Sequence, residues 1–393
     1  MISITEAFSI LENTSFPLKE MTVSLWEARN SVLAKTVFSP INMPPFRQSN
    51  MDGYALSLHD ALEYVIVGEV KAGDHFTKIL QPGQAVKIFT GAAVPDSAQA
   101  VIQIEKVSVN ENQLLLQEAV LPETNVRPLG SQIVQNQIAL KKGTFLNAAA
   151  IGFLSGLGFT TVKIYKKPSV GIVITGNELV ESGQPLPHGK VYESNAIMLQ
   201  SALYDSHFDN IILYKVEDDF ENTKATLEKA IHENEMVIVS GGISVGDYDF
   251  VGKALESLGV ATLFHKVNQK PGKPLFAGKH NDKSIFALPG NPAASLTCFY
   301  IYVLPTLQKL SGKSPSYHSQ LLLSLAHDYE ISNSRDQFLK ATIAENEITI
   351  LSHQDSSMLN SYALANVLVY LPSGNYTKIK GDKVAVYLFQ QRD

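Results

Sequence analysis

The order of apolar and polar positions divides the chain into four stretches of different texture. Near the start, apolar residues recur at helical spacing over 4–11 and again over 25–34. The pattern then breaks at Pro40, Pro44 and Pro45, which a helix interior does not tolerate. From 46 to about 133, short apolar runs (YVIVGEV, QAVKIFT, AVIQIEKV, QLLLQEAV) alternate with Gly, Pro, Asp and Asn, the texture of an antiparallel β unit. Residues 148–158, rich in Ala and Gly, read as a short helix that reconnects to an earlier segment. The β unit is therefore expected to be inserted between two halves of another region.

Between 168 and 310 the texture changes to strands and helices in alternation. SVGIVIT, IILYKV, MVIVS and SIFALP are short, strongly apolar strands, and helices are expected over 196–205, 223–232, 253–259 and 293–310. Such strands imply a parallel sheet covered on both faces, and ligands bind at the carboxyl ends of such strands. The loops there are TGNEL, SGGISVGDYD and PGNP. A linker over 311–319 leads to a tail of short strands and turns, a small β domain. No repeat, low-complexity tract or coiled-coil heptad interrupts this order.

Composition narrows the function classes. With 45% hydrophobic and 18% charged residues, the chain is folded globular material. Lys and Arg number 32 against 38 Asp and Glu, a net charge of -6, and no basic run exceeds two residues, which argues against a general nucleic-acid binder. One cysteine, Cys298, excludes an intramolecular disulfide and a cysteine-cluster metal site, and its apolar setting predicts a buried structural thiol. No stretch of 18 apolar residues is present for a membrane span, and the N-terminus lacks the pattern of a signal peptide. A cytoplasmic setting is expected.

The residues with chemistry concentrate in the loops. In 240–249, Gly241, Gly242 and Gly246 permit close approach and unusual dihedrals, and their N–H groups can hold an oxyanion with Ser244 as a further donor. Asp247 and Asp249 would repel a bare phosphate, so a role through Mg²⁺ is the consistent one for at least one of them. The bland alternative is a glycine turn with Asp249 as a helix N-cap. Lys270 and Lys273 in KPGKP form a stiff cationic hook or a solvated basic loop. Pro289, Gly290 and Pro292 open the long helix, either presenting its free N–H groups to the sheet edge or simply capping it. In the β unit, Asp52 beside Gly53 reads as a turn residue, Thr90 puts a hydroxyl at a strand end, and Arg127 suits a phosphate or a carboxylate. Glu193 is a capping acid or a site acid. The residues alone point to an anionic, phosphorylated ligand held with a divalent ion by carboxylates from two modules.

Eight strings in order, MDGYA (51–55), IFTGAAVP (88–95), NVRPLG (125–130), TGNEL (175–179), YESN (192–195), SGGISVGDYD (240–249), KPGKP (270–274) and LPGNP (288–292), resemble the MoeA family of molybdopterin molybdenumtransferases, to which the C-terminal domain of gephyrin is related. The resemblance implies a multidomain α/β plus β fold. An elongated, mainly helical region (1–45 and 135–166) would carry an inserted β domain (46–134), a molybdopterin-binding α/β domain (167–312) and a barrel-like β domain (318–393). It implies a homodimer in which the insert of one subunit completes the site of the other. The implied reaction takes adenylylated molybdopterin and molybdate with Mg²⁺, inserts molybdenum at the dithiolene and releases AMP. By motif position, Asp52, Thr90, Glu193, Glu235 and Asp249 would act in catalysis, and Asp52, Glu193 and Asp249 would hold the metal. The glycines, Ser244, Lys270, Lys273 and Arg127 would serve the phosphates and the cross-subunit edge. Transient contacts with the adenylyltransferase and with recipient molybdoenzymes are implied; nucleic acid and membrane are not. Gln132 replaces a family acid, Asn177 stands for the acid of TGDEL, Glu235 for an Asp, and Asn50 for a small residue. A non-catalytic carrier or scaffold and a molybdopterin adenylyltransferase are the alternative readings.

Overall fold

A computed structural model describes residues 1–217, 219–243, 250–318 and 321–389. The chain forms two compact units: Met1–Met21, Asn30–Val32 and the chain from Tyr165 onward make one, and Thr22–Arg29 with Leu33–Ile164 make the other.

In the first unit, helix α1 (Ile4–Asn13) opens with a capping box in which Ser3 and Glu6 satisfy each other's backbone donors. The strands β1 (Val170–Thr175), β2 (Ile211–Val216), β3 (Met236–Ser240), β4 (Ala261–His265), β5 (Phe276–His280) and β6 (Lys283–Leu288) form one sheet in the order β2-β1-β3-β6-β5-β4. The first four of that order run parallel, as the apolar runs predict, and β1 and β3 are buried throughout. Successive residues face opposite sides. Val170, Ile172 and Ile174 join one core with α1, α2 (Asn195–Asp205) and the long C-terminal helix, whereas Val173 joins the other with α3 (Phe220–Glu233) and α4 (Phe250–Ser257).

The structure corrects the purely parallel sheet. Strands β4 and β5 were not expected from the pattern, and they add an antiparallel edge. A two-residue connection makes this possible: His280 pairs with Lys283, and Asn281 takes a left-handed φ of 52° between them. The long helix also differs in detail, running as Pro292–Cys298, a π-helical stretch Phe299–Val303 and Leu304–Leu310. Pro305 has no N–H to give Ile301, and the wider turn just before it absorbs the loss.

Also in this unit, strands β7 (Leu321–Leu325), β8 (Asp336–Ala344), β9 (Glu347–Ile350), β10 (Val367–Leu371) and β11 (Lys383–Leu388) pair in the order β8-β9-β7-β11-β10. Pairing of β10 back to β8, from Gln337 opposite Leu371 to Ala341 opposite Val367, closes the barrel.

The second unit holds the β insert. Its six-stranded sheet runs Ala100–Gln103, Gly53–Leu56, Gln84–Ile88, Glu63–Val70, Gln113–Leu116 and Val107–Asn110, antiparallel except for the pairing of Glu63–Val70 with Gln84–Ile88. The helix expected over 148–158 forms at Ala148–Gly156, with Asn147 as its N-cap. The one expected over 25–34 does not form. Ser24 and Glu27 start a single helical turn, Ala28 N–H bonding Ser24 C=O at 3.0 Å, and Asn30 at φ 59° ends it. Leu25, Ala28 and Leu33 still bury their side chains, so apolar spacing that reads as a helix serves a turn followed by a bridge. In the first unit, α1 contributes Ile4, Ala7, Phe8 and Leu11 to the α/β core.

Candidate functional site

At the carboxyl ends of β1, β3 and β6 lies an open cleft of about 610 Å³. Its floor and walls come from Thr175, Gly176, Glu178, Glu193–Asn195, Ser240–Ile243, Pro274 and Pro289–Pro292. This is where parallel strands point their free ends and where the three unusual loops were expected to meet. The glycine pair after β3 is required by space as well as by dihedral. Gly241 (φ 97°) and Gly242 (φ 63°) are left-handed, and a Cβ on them would stand 2.5 Å from the Thr175 carbonyl oxygen and 2.6 Å from a Val251 methyl carbon. Ser244, Gly246, Asp247 and Asp249 lie outside the described residues.

The residue that joins the cleft's walls was missed in the sequence. Asn195 is buried, and its side-chain amide donates to Ser240 Oγ and to the Gly290 carbonyl, both at 2.8 Å. One side chain thereby ties the start of α2 to the ends of β3 and β6. Its Oδ1 has no hydrogen-bond partner among the described residues. Position alone makes Asn195 look like part of a helix cap; the signal that could have found it is that Glu193 already does that work. Glu193 Oε1 accepts from Ala196 N–H at 2.8 Å, leaving its other oxygen uncommitted among the described contacts. Glu178 lines the same cleft, so two carboxylates are present.

The KPGKP loop reaches the cleft through Pro274, while Lys270 and Lys273 are exposed. Its backbone is held from below. Buried Gln269 donates to Pro271 C=O at 3.0 Å and accepts from the Tyr302 hydroxyl, and a Cβ at Gly272 (φ 90°) would lie 2.5 Å from Cys298 Sγ. Cys298 is buried, as expected, and burial pushes its thiol pKa up, away from the reactive thiolate. Pro289, Gly290 and Pro292 line the cleft, but the helix they open does not offer all its N–H groups. Pro292 has none, Ser295 N–H bonds Asn291 C=O at 2.9 Å, and Ala294 N–H bonds the Ser356 carbonyl at 3.2 Å.

Glu235 is not in the cleft. It precedes β3, at the opposite end of a strand about 16 Å long. There it accepts from Ser169 N–H at 2.8 Å and from the Ser169 hydroxyl, and pairs with Lys19 at 2.9 Å and Lys166 at 3.2 Å. Burial alone would raise its pKa, but the Ser169 hydroxyl and the two ammonium groups outweigh that and bring it down to about 2. The catalytic expectation for Glu235 came from motif position, which carries no information about which end of the strand a residue occupies.

Asp52, Thr90 and Arg127 belong to the second unit, and all three are exposed. Asp52 and Thr90 meet: the Thr90 N–H and hydroxyl both donate to Asp52 Oδ1 at 2.7 Å, and they hold its carboxyl below the usual range. Arg127 lies on the strand Val126–Arg127, which pairs with Gln48–Ser49. Gln132 is exposed there too, and Asn177, in the first unit, is exposed with its carbonyl accepting from Lys190 at 2.5 Å. Among the described residues, no group of three His, Cys, Asp or Glu gathers in an arrangement able to hold a metal.

Comparison with known proteins converges on one family. Residues 2–158 match the MoeA N-terminal region (domain I and II), 171–309 a probable molybdopterin binding domain, and 323–389 the MoeA C-terminal region (domain IV). A molybdopterin molybdenumtransferase of Haemophilus influenzae is 32% identical, covering 99% of both chains, and one of Staphylococcus epidermidis is 30% identical over 98% of this chain and 95% of its own. The molybdopterin biosynthesis MoeA protein of Pyrococcus horikoshii superposes with a TM-score of 0.84 at 28% identity, covering 100% of both chains. A cleft at the free ends of a parallel sheet, a closed C-terminal barrel and these matches along nearly the whole chain agree: the chain belongs to the MoeA family.

Proposed function

We propose that the chain is a molybdopterin molybdenumtransferase, inserting molybdenum from molybdate into adenylylated molybdopterin and releasing AMP. The observation that supports this most directly is the cleft itself. It joins a glycine turn that brings backbone close to a ligand, a loop bearing two lysines, and two carboxylates, in the domain that matches a probable molybdopterin binding domain. That set suits a long polyanion whose phosphoanhydride must be neutralised and aligned.

In this reading Lys270 and Lys273 offset the phosphate charge, and the Gly241–Gly242 backbone lets the ligand approach the end of β3. Asn195 keeps that turn and the 289–292 loop in register. Arg127 and the Asp52–Thr90 pair of the β insert complete the site on a second copy, in a homodimer acting in the cytoplasm; no helix among the described residues is long and apolar enough to cross a membrane. The Glu178 and Glu193 carboxylates are hard oxygen donors of the kind Mg²⁺ shares with substrate phosphates, so the residues fit that ion, with Asp52 and Asp249 as further acids. Mg²⁺, when bound, supplies charge neutralisation at the anhydride oxygens. Ser244 and Gly246 are proposed for phosphate contact and Asp247 for contact with the ligand through Mg²⁺, and Glu235 is not carried into the mechanism.

A single-turnover assay tests the proposal with purified protein, adenylylated molybdopterin, Mg²⁺ and molybdate, following AMP release and activation of a molybdenum-free apoenzyme. Molybdate-dependent AMP release with activation is the expected result. Tight binding without AMP release would replace it with the carrier reading.

A further inference from the structure

The KPGKP loop has two faces. Lys270 and Lys273 are exposed, whereas Pro271 and Gly272 between them are buried. Beneath the buried pair lie three side chains from which solvent is fully excluded: Gln269, Cys298 and Tyr302, the last two on the long helix that begins at the cleft. Gln269 Nε2 donates to the Pro271 carbonyl at 3.0 Å and to the Gly272 carbonyl at 3.5 Å, and Cys298 Sγ donates to the Gly272 carbonyl at 3.8 Å. The Tyr302 hydroxyl donates to Gln269 Oε1.

These contacts leave the amide one orientation. Burial pushes the Tyr302 hydroxyl well above its ordinary pKa, so it stays a donor. Turned over, Gln269 would aim Oε1 at two carbonyl oxygens with no hydrogen to share. Tyr302 therefore fixes the amide, and the amide draws the two carbonyls inward. Gly272 can comply because its φ is 90° and it lacks a Cβ, which would lie 2.8 Å from Gln269 Nε2 and 2.5 Å from Cys298 Sγ. The peptide unit is planar, so turning a C=O inward turns the following N–H outward and sets how the chain enters and leaves each lysine. Burying an amide is costly unless its groups are met, and an apolar residue would fill this space without that penalty. What the amide adds is a single loop conformation.

We propose that Gln269 and Tyr302 are positioning residues for the lysine pair: by holding the 271–272 peptides they set where the Lys270 and Lys273 ammonium groups meet the ligand. The proposal rests on the reading of the cleft as the site for adenylylated molybdopterin, whose phosphate charge those lysines offset. Such an offset acts on substrate and transition state alike, so loosening the loop falls on KM more than on kcat.

The test compares Gln269→Met, Tyr302→Phe, the Gln269→Met/Tyr302→Phe double variant, and Gln269→Met on a Lys270→Ala/Lys273→Ala background. It measures KM and kcat for AMP release, the equilibrium Kd for adenylylated molybdopterin, Tm, and amide hydrogen exchange over 270–274. Gln269→Met should raise KM and Kd about fivefold, the worth of one hydrogen bond, with kcat within about twofold and faster exchange. Tyr302→Phe removes a single oxygen and keeps the ring in the core; it should raise KM about twofold. Joining it to Gln269→Met removes the stranded hydroxyl, so Tm should recover while KM stays raised. On the lysine-free background Gln269→Met should leave Kd unchanged, because it acts through those lysines. Three results would overturn the proposal: unchanged KM in both single variants, KM and Tm recovering together in the double variant, or an equal rise in Kd with and without the lysines. Should the wild type release no AMP, the functional reading fails separately. The positioning role is then judged by Kd and by exchange over 270–274, and either one unchanged in Gln269→Met overturns it.

Discussion

The two ends of the parallel sheet treat their acids in opposite ways. At the amino end, Glu235 is enclosed by Ser169, Lys19 and Lys166, with its charge paired and both its oxygens engaged. At the carboxyl end, Glu193 spends one oxygen on Ala196 N–H, and Glu178 stands in the open cleft. A carboxylate whose lone pairs are filled by the protein contributes to stability and has little left for a ligand. One that keeps lone pairs free at the edge of a glycine turn costs some stability and can do chemistry. The contrast also separates two acids that motif position treats as equals.

The strongest way to break the contrast is to damage the glycine turn. Gly241→Ala places a methyl 2.5 Å from the Thr175 carbonyl at a left-handed φ, and should destabilise the protein by about 2–4 kcal/mol while removing AMP release. Thermal unfolding and the release assay read both effects. Glu193→Gln keeps the bond to Ala196 N–H but loses the charge. It should lower AMP release about 100-fold at an almost unchanged Tm, and a normal rate would remove Glu193 from the site.

Glu235→Gln should do the reverse, costing about 2 kcal/mol at neutral pH with AMP release by the folded protein within about twofold. The folded pKa of Glu235, about 2, lies below its ordinary value, so its contribution is fully present above about pH 4.5 and is lost as pH falls toward 2. The stability gap between wild type and Glu235→Gln should therefore close across that window in acid unfolding curves. A gap independent of pH would mean that the pairing is not what stabilises. The smallest change is expected from Gln132→Glu, which restores an acid at an exposed position of the second unit. It should raise the AMP release rate a few-fold or lower the Mg²⁺ concentration needed, on the order of one weak carboxylate contact.

Much of this molecule can be read along the chain. The apolar runs SVGIVIT, MVIVS and SIFALP became buried parallel strands because continuous β-branched and apolar residues suit only a strand covered on both faces. The loops TGNEL, SGGISVGDYD and PGNP could be assigned to one sheet edge because a parallel sheet sends every strand's end the same way. Gly241 and Gly242 were recognisable as a close approach, and Cys298 as a buried thiol, from local composition.

What the linear pattern could not carry is contact between distant segments. Strands β4 and β5 escaped notice because ATLFH and FAGKH are short and mix polar and apolar residues; β4 is the partly covered edge strand, and β5, paired on both sides, takes its place from a hairpin with β6. The 25–34 segment has helical spacing, yet Asn30 and the pairing of Leu33 with Ile164 turn it aside. Asn195 and Gln269 are ordinary polar residues in sequence, and their roles arise from partners 45 and 33 positions away. Local spacing specifies which face of an element is buried, since that depends on a period of two or 3.6 residues. Which carboxylate is spent and which is left free depends on donors that only the folded chain brings within hydrogen-bonding distance.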